Sequence, residues 1–482
     1  MSTNINNIVS DARYSTLRNA VALARTVAIV PVITKIAGSE TYGIWAAAYA
    51  VFLILLGLGN GHLHGALLRY LPGEGRNEQP YFDLLLLSVC VGILLISVLG
   101  VIGPILFGGF SETRYGIPLW VGVTFAIVPR LPLLIVENYP RAYGRIDEYE
   151  IVQILRLSLE TVILVGVFYF LGDVVMAFIG LAATYGIMVC LLLVLYQPSP
   201  ARPSISRYST YLRYSLPMLP KQIGQQTVNS FDRYLVVYFL TSTIGGAYAA
   251  AYMLPSLLKK FNAVLNPTLY PTIIQAWDDG HLDEIETIYE SLFRLYTVLI
   301  VPSVVGLTLT ARPALRLLST PEIASQGWIV VPVIGVGFLA YGYGDLAVYV
   351  LNAAEETSRI ALAHVTAGAM NLVLNIILIP IVGIIGAAAA SSVSFSIMSG
   401  ILLWDVNRFL TIPVPWISLV RSVVSSLVMA GVILLIPYIH SDLLTLVVLP
   451  PIGILTYLLS LLAVGGVTWD ELRDNARGLS NR

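Results

Sequence analysis

The segment Ser215–Leu240, SLPMLPKQIGQQTVNSFDRYLVVYFL, decides how the rest of the chain is read. It is long enough to cross a bilayer, yet it carries Lys221, Gln222, Gln225, Gln226, Asn229, Ser230, Asp232 and Arg233. On an ideal helix these polar side chains fall within an arc of about 180°. Ile223, Gly224, Val228 and Phe231 fill the other half, with Thr227 the one polar exception. A charge at bilayer centre costs at least roughly 2.5–3.5 kcal/mol, so such a face must line protein or water rather than lipid. The pattern predicts a polar helix face on a solvated cavity; a polar seam between packed helices is the plainer alternative. Pro217 and Pro220 remove amide donors near its start, which a membrane helix tolerates only where neighbours or water satisfy the freed carbonyls.

The surrounding composition agrees. Of 482 residues, 57% are hydrophobic and 11% charged, with mean hydropathy +0.81, whereas soluble domains carry about 25% charged residues. The fold class expected is an all-α polytopic membrane protein with about fourteen spans. The first two fall at 14–36 and 42–69, and the seventh and eighth at 212–240 and 246–274. The opening residues MSTNINNIVSDA lack the basic start and cleavage site of a signal peptide, so the first span is expected to be retained. With the N-terminus inside, sixteen basic residues fall on the cytoplasmic side and four outside, which places both termini in the cytoplasm of a cell-membrane protein. Cys90 and Cys190 lie in apolar stretches and imply no disulfide framework.

The Pro/Ser-rich stretch QPSPARPSISRYSTY marks a hinge. The expected organisation is a lobe of six helices over 1–197, a cytoplasmic linker over 198–211, a second such lobe over 212–410, and two further helices with a tail over 411–482. An internal repeat supports it: GIWAAAY from Gly43 and GAYAAAY from Gly246 match at five of seven positions at an offset of 203 residues. Trp45 against Tyr248 reads as a conservative exchange. Copies six helices apart run in the same direction, as parallel repeats about an axis along the membrane normal do. Carried back to the first and seventh spans, the offset aligns Arg18 with Lys221.

The residues Ser215-Leu216-Pro217, Asp232-Arg233, Gly246, Tyr248, Tyr252 and Pro267, with Asn371, Asn375, Pro380, Gly383 and Gly386-Ala387-Ala388, carry a resemblance to the oligosaccharide flippases of polysaccharide biosynthesis. This is the Wzx-like branch of the superfamily that also holds the lipid II flippases and the MATE exporters. The resemblance implies two lobes around a central cavity, movement of lipid-linked sugars by alternating access, and a last helix pair that some members carry.

Seven cations lie within the spans, Arg25, Arg130, Arg156, Lys221, Arg233, Lys259 and Lys260, against four carboxylates, Glu137, Glu160, Asp232 and Asp345. An embedded positive excess predicts an anionic cargo. The candidate substrate-binding set is Arg18, Arg25, Lys221, Arg233, Lys259 and Lys260, with Gln222, Gln225, Gln226, Asn229 and Asp232 as the polar lining. Each cation tied to a carboxylate is the structural alternative, and similar depths favour it for Arg130 with Glu160 and Arg156 with Glu137. Arg18 and Lys221 are expected to face each other across the cavity and share a phosphate; snorkelling to lipid headgroups is the simpler role. Asp345 is a candidate coupling site. His62 and His64 point about 200° apart on a regular helix and cannot chelate one ion there, so no metal is assigned.

No phosphate-binding G-x-x-x-x-G-K-[ST] loop, large aqueous loop or basic domain argues for an enzyme, a cofactor or a nucleic-acid partner. The reading reached is a non-enzymatic flippase that moves a polyprenyl- or dolichyl-linked phosphate or pyrophosphate oligosaccharide from the inner to the outer leaflet. Its partners would be that cargo, membrane lipid, and glycosyltransferases or a polymerase of the same pathway. The rivals are a MATE-type drug or metabolite exporter, whose cavity should carry negative charge, and a membrane enzyme of glycan assembly, which needs a substantial external loop.

Overall fold

A computed structural model of the chain describes residues 2–71, 78–108, 116–197, 205–411, 415–437 and 439–466. Six of the basic residues that set the expected orientation, Arg76, Arg114, Arg202, Arg473, Arg477 and Arg482, lie outside them, as do 198–204 of the expected linker and the tail from 467.

All regular structure among the described residues is helical. The chain opens with α1 (Ser2–Val32) and a π turn, Ile33–Ala37, that ends at Gly38 with φ +94°. There follow α2 (Gly38–Asn60), α3 (Leu63–Tyr70), α4 (Gln79–Phe107), α5 (Leu119–Glu137) and the single turn α6 (Tyr139–Ala142). Next come α7 (Ile146–Phe170) and α8 (Val174–Tyr196), the latter capped by Asp173, which accepts from the Met176 amide at 2.9 Å. The polar seventh span and its approach comprise α9 (Ile205–Ser215), a 3₁₀ turn Leu216–Met218, α10 (Leu219–Gln226), a π turn Thr227–Phe231 and α11 (Asp232–Phe239). Then come α12 (Ser242–Ser256), α13 (Lys259–Asp278), α14 (Leu282–Leu318) and α15 (Pro321–Gly327). The last five are α16 (Val330–Ala353), α17 (Thr357–Val382), α18 (Ile384–Val406), α19 (Trp416–Leu435) and α20 (Asp442–Ala463).

Eleven stretches among the described residues are long and apolar enough to cross a membrane, and one of them, Arg13–Asn60, holds the later part of α1 and all of α2. The expected spans 212–240 and 246–274 are not in that set, because each is broken into shorter, more polar helices. Proline explains the first break: Pro217 and Pro220 cannot donate to the preceding turn, and the backbone tightens to a 3₁₀ turn there. Side chains accompany the second. Thr227 donates to the Ile223 carbonyl at 2.9 Å and the Asn229 amide to the Gln225 carbonyl at 2.7 Å, drawing on backbone acceptors where the helix widens. The extra residue of a π turn rotates the residues beyond it, so the polar arc of an ideal helix is not kept. Gln225 is exposed, whereas Ser230 and Asp232 are buried.

The chain forms two compact units. One comprises Met1–Ala249 with His364–Gly383, the other Ala250–Ala363 with Ile384–Arg482. In the first, α5 packs on α4 and α8, α1 on α7, and α2 on α5, α10 and α11. Here the two repeat copies meet. A methyl group on Gly43 would lie 1.8 Å from the Ser242 carbonyl oxygen, and one on Gly246 would lie 2.2 Å from the Ser39 carbonyl oxygen. Ser39 and Ser242 stand at the same 203-residue offset as the glycines, so the contact is reciprocal, as across a twofold axis. Gly224 makes a similar close approach: its missing side chain would fall 2.5 Å from the His364 carbonyl oxygen.

In the second unit α16 packs along α18, and α14 carries the last helix pair. Met429, Ile433, Leu449, Tyr457 and Leu461 form the seam of α19 and α20 against Val298, Val305 and Leu309 of α14. The Tyr457 hydroxyl donates to the Val298 carbonyl at 2.7 Å.

Candidate functional site

Three of the embedded arginines of the first unit, Arg25, Arg130 and Arg156, form one chain of ion pairs. Arg25 on α1 contacts Glu160 on α7 at 3.0 Å. Arg156, one turn before Glu160, reaches it at 2.5 Å and Glu137 of α5 at 3.2 Å. Arg130 contacts the other Glu137 oxygen at 3.1 Å, two turns earlier on the same helix, and lies 5.4 Å from the Tyr185 ring centroid. Glu137 and Glu160 are almost wholly buried, with side chains 2% and 1% exposed. The expected Arg156–Glu137 pair forms; Arg130 turns to its own helix instead of to Glu160. Three guanidiniums against two carboxylates leave the cluster with one positive charge in excess, held where the field of an unpaired ion is strong.

Arg18 sits one stage closer to the chain start on α1. Its Nε lies 2.9 Å from Glu150 of α7, whose other oxygen accepts from the Ser15 hydroxyl at 2.9 Å. Glu150 lies near the start of α7 and is not one of the four carboxylates placed within spans by hydropathy, so this pairing emerges only from the structure. Lys221, the counterpart of Arg18 at the repeat offset, lies on α10, which packs against α2, and its charge acts on His62. Gln222 covers Gly57 of α2, where an added methyl would meet the Gln222 Cγ at 3.6 Å. Gln226 is half-buried at the end of α10.

Asp232 is fully buried and accepts from the Tyr248 hydroxyl at 2.5 Å and from the Arg233 amide at 2.8 Å. The structure thus gives Asp232 a fixed partner on α12. Arg233 is half-buried, and its charge acts on Tyr42. Asn371 and Asn375, noted in the sequence, are buried one turn apart, the Asn375 amide donating to the Asn371 carbonyl at 2.8 Å.

In the second unit the adjacent lysines part company. The Lys259 ammonium lies 4.6 Å from the ring centroids of Phe338 and Tyr341 and 5.1 Å from that of Phe395, whereas Lys260 is exposed. Stacked aromatic faces supply the negative quadrupole that a desolvated ammonium needs. Asp345 lies one turn beyond Tyr341 on α16 and accepts from the Asn262 amide at 3.1 Å. Tyr341 also interacts electrostatically with that carboxylate, so one residue neighbours both the lysine and the aspartate. Sequence reasoning missed this cage, although Phe338 and Tyr341 at three-residue spacing were a usable signal.

The histidines overturn one geometric expectation. Gly61 and His62 both adopt left-handed backbone, φ +48° and +65°, which breaks the helix between α2 and α3. The two imidazoles therefore come together, with ring centroids 4.8 Å apart, and His64 Nδ1 pairs with the Asn60 amide at 2.8 Å. Among the described residues no group of three or more His, Cys, Asp or Glu is placed to hold a metal ion.

Comparison with known proteins bears on this arrangement. The chain is 24% identical over 232 residues to the "Probable low-salt glycan biosynthesis flippase Agl15" of Haloferax volcanii, covering 48% of this chain and 49% of that one. It is 26% identical over 206 residues to the "Probable flippase AglR" of the same organism, covering 42% of each. The chain thus matches about half the length, or less, of these curated relatives. Among solved structures, the lipid II flippase MurJ in an inward closed conformation superposes with a TM-score of 0.76 at 16% identity, over 93% of this chain and 98% of that one. An inward-facing multidrug resistance MATE family transporter of the MOP superfamily gives 0.60 at 13% identity, over 83% and 98%. These likenesses show the fold of a multi-pass membrane protein. A family model for the lipid II flippase MurJ matches residues 251–455. The model described as "Polysaccharide biosynthesis protein" matches residues 32–323, more than half of the sequence, and the chain belongs to that family.

Proposed function

We propose that the chain is a non-enzymatic flippase that carries a lipid-linked oligosaccharide, joined to its polyprenyl or dolichyl carrier through phosphate or pyrophosphate, from the inner to the outer leaflet by alternating access. The observation that carries this reading is the sign of the embedded charge. The Arg25–Glu160–Arg156–Glu137–Arg130 cluster holds three cations and two anions, and a net positive interior suits an anionic ligand. The named activities of Agl15 and AglR and the fold shared with MurJ support it. Arg25 would meet the cargo phosphate with Lys221 and Arg233. Gln222, Gln225, Gln226 and Asn229 would meet sugar hydroxyls, and Asp345 would couple transport to an ion. Lipid and the glycan-assembly enzymes of the same pathway would be its partners. A MATE-type exporter of cationic drugs shares the fold at lower similarity, and the positive excess speaks against it.

The test is the sidedness of the lipid-linked intermediate in membranes from a deletion strain lacking a redundant flippase. Accumulation on the inner leaflet is the expected result. Unchanged sidedness and unchanged surface glycosylation would refute the proposal.

A further inference from the structure

The break at Gly61–His62 opens a pocket of about 550 Å³ lined by His62, His64, Gly65, Leu68, Arg69, Arg141 and Tyr214. That volume lies within the roughly 300–1,000 Å³ typical of small-molecule sites. Its polar lining consists of two imidazoles, two guanidiniums and a phenol, all able to donate, and includes no carboxylate.

The two arginines differ from their neighbours. Arg18, Arg25, Arg130, Arg145, Arg156 and Arg207 are each paired with a carboxylate. Among the described residues Arg69 and Arg141 have no such pair and rest instead on aromatic rings. Arg69 lies 5.4 Å from the Tyr214 centroid and Arg141 5.4 Å from that of Tyr149. A guanidinium held over a ring rather than by a carboxylate keeps N–H donors for a ligand, and such a fork can grip a phosphate through two bonds. His62 lies across Gly65, where an added methyl would sit 2.1 Å from His62 Nε2; a side chain there would displace the ring. Lys221 adds positive potential at His62. On the orientation given by the basic residues, α3, α6 and the end of α9 all lie at the inner face.

We propose that this pocket is an oxyanion site that takes the phosphate or diphosphate group of a membrane-borne ligand at the inner face, before it reaches the embedded cations. As a reception site for cargo it rests on the flippase reading. The same chemistry is offered by the isoprenoid diphosphate of the cargo and by the headgroup of an anionic phospholipid, and competition separates them.

The experiment titrates inorganic pyrophosphate calorimetrically into the full chain in phosphatidylcholine nanodiscs. Saturable one-to-one binding is expected, weakened at least tenfold by Arg69→Gln with Arg141→Gln. Arg69→Lys with Arg141→Lys should fall between, because lysine keeps the charge and loses the fork. Gly65→Ala, which removes no charge, should weaken binding several-fold by displacing His62. No binding, or binding that the glutamine pair leaves unchanged at an unaltered melting temperature, overturns the site. Displacement by farnesyl diphosphate supports the cargo role; displacement by short-chain phosphatidylglycerol alone overturns that role. No step here involves translocation, so its failure leaves the flippase reading standing. A chain that bound pyrophosphate in this pocket yet moved no lipid would fail that reading alone.

Discussion

Gly43 and Gly246 face one another with no room for a side chain on either: a methyl on Gly43 would come within 2.8 Å of the Gly246 amide nitrogen, and one on Gly246 within 3.2 Å of the Gly43 nitrogen. The backbones of α2 and α12 are thus in direct contact at equivalent points of the repeat, near the outer ends of both helices on the orientation read from charge.

Gly43→Ala and Gly246→Ala should each lower stability, by about 1–3 kcal/mol, the usual cost of overpacking. Gly57→Ala is the control on the same helix, since its methyl would meet Gln222 at an ordinary 3.6 Å. Thermal unfolding in detergent measures both. Equal melting temperatures for Gly43→Ala and Gly57→Ala would mean that the crossing is not tight.

The ion-pair chain predicts an order of effects. Glu160→Gln leaves Arg25, Arg156 and Arg130 with Glu137 alone, whereas Arg25→Gln leaves two cations with two anions. Removing one partner of a buried pair costs about 3–5 kcal/mol, so Glu160→Gln should be markedly destabilising. Arg25→Gln should fold with a milder loss and still lose transport, if Arg25 meets the cargo. Thermal melts alongside a flipping assay test this, and the reverse order of stabilities would contradict it.

The helical class, the polar seventh span and the embedded charges are legible in sequence because each stems from the cost of placing polar groups in lipid. Contacts between distant segments are not. Trp45 and Tyr248 occupy equivalent repeat positions, yet Trp45 packs on Phe168 and Phe178 while Tyr248 donates to Asp232. Likewise, an arc drawn on an ideal helix takes no account of the π turn at Thr227–Phe231, and the divergence of His62 and His64 applies only to unbroken helix. Backbone irregularity is the common cause, since it changes facing without changing composition.

Tyr248→Phe removes a donor from a carboxylate with no solvent access. A buried acceptor that loses a partner costs about 1–3 kcal/mol, so the melting temperature should fall. In Tyr248→Phe with Asp232→Asn the loss should be smaller than the sum of the singles, because no charge remains to be satisfied. Additive losses in the double-mutant cycle would show that the two residues are uncoupled.

The lysine pair on α13 offers the most discriminating test. Successive helical residues point about 100° apart, and the structure assigns the caged direction to Lys259 and the exposed one to Lys260. Removing Lys259 leaves Phe338, Tyr341 and Phe395 facing an empty space and takes a positive charge from the neighbourhood of Asp345. A desolvated cation–π contact is worth about 2 kcal/mol, so Lys259→Ala should be clearly less stable than wild type. Lys260→Ala should stay within about 0.5 kcal/mol, as exposed substitutions do. Lys259→Arg should recover part of the loss, since guanidinium also stacks on aromatic faces, whereas Lys259→Met fills the space without the charge. Comparing Met with Arg therefore separates packing from charge. Transport assayed in the same variants then divides the roles. Loss in Lys260→Ala with normal stability would place cargo contact on the exposed lysine and leave Lys259 a purely structural cation. Full transport in Lys259→Met would rule out any part for the caged charge in coupling to Asp345.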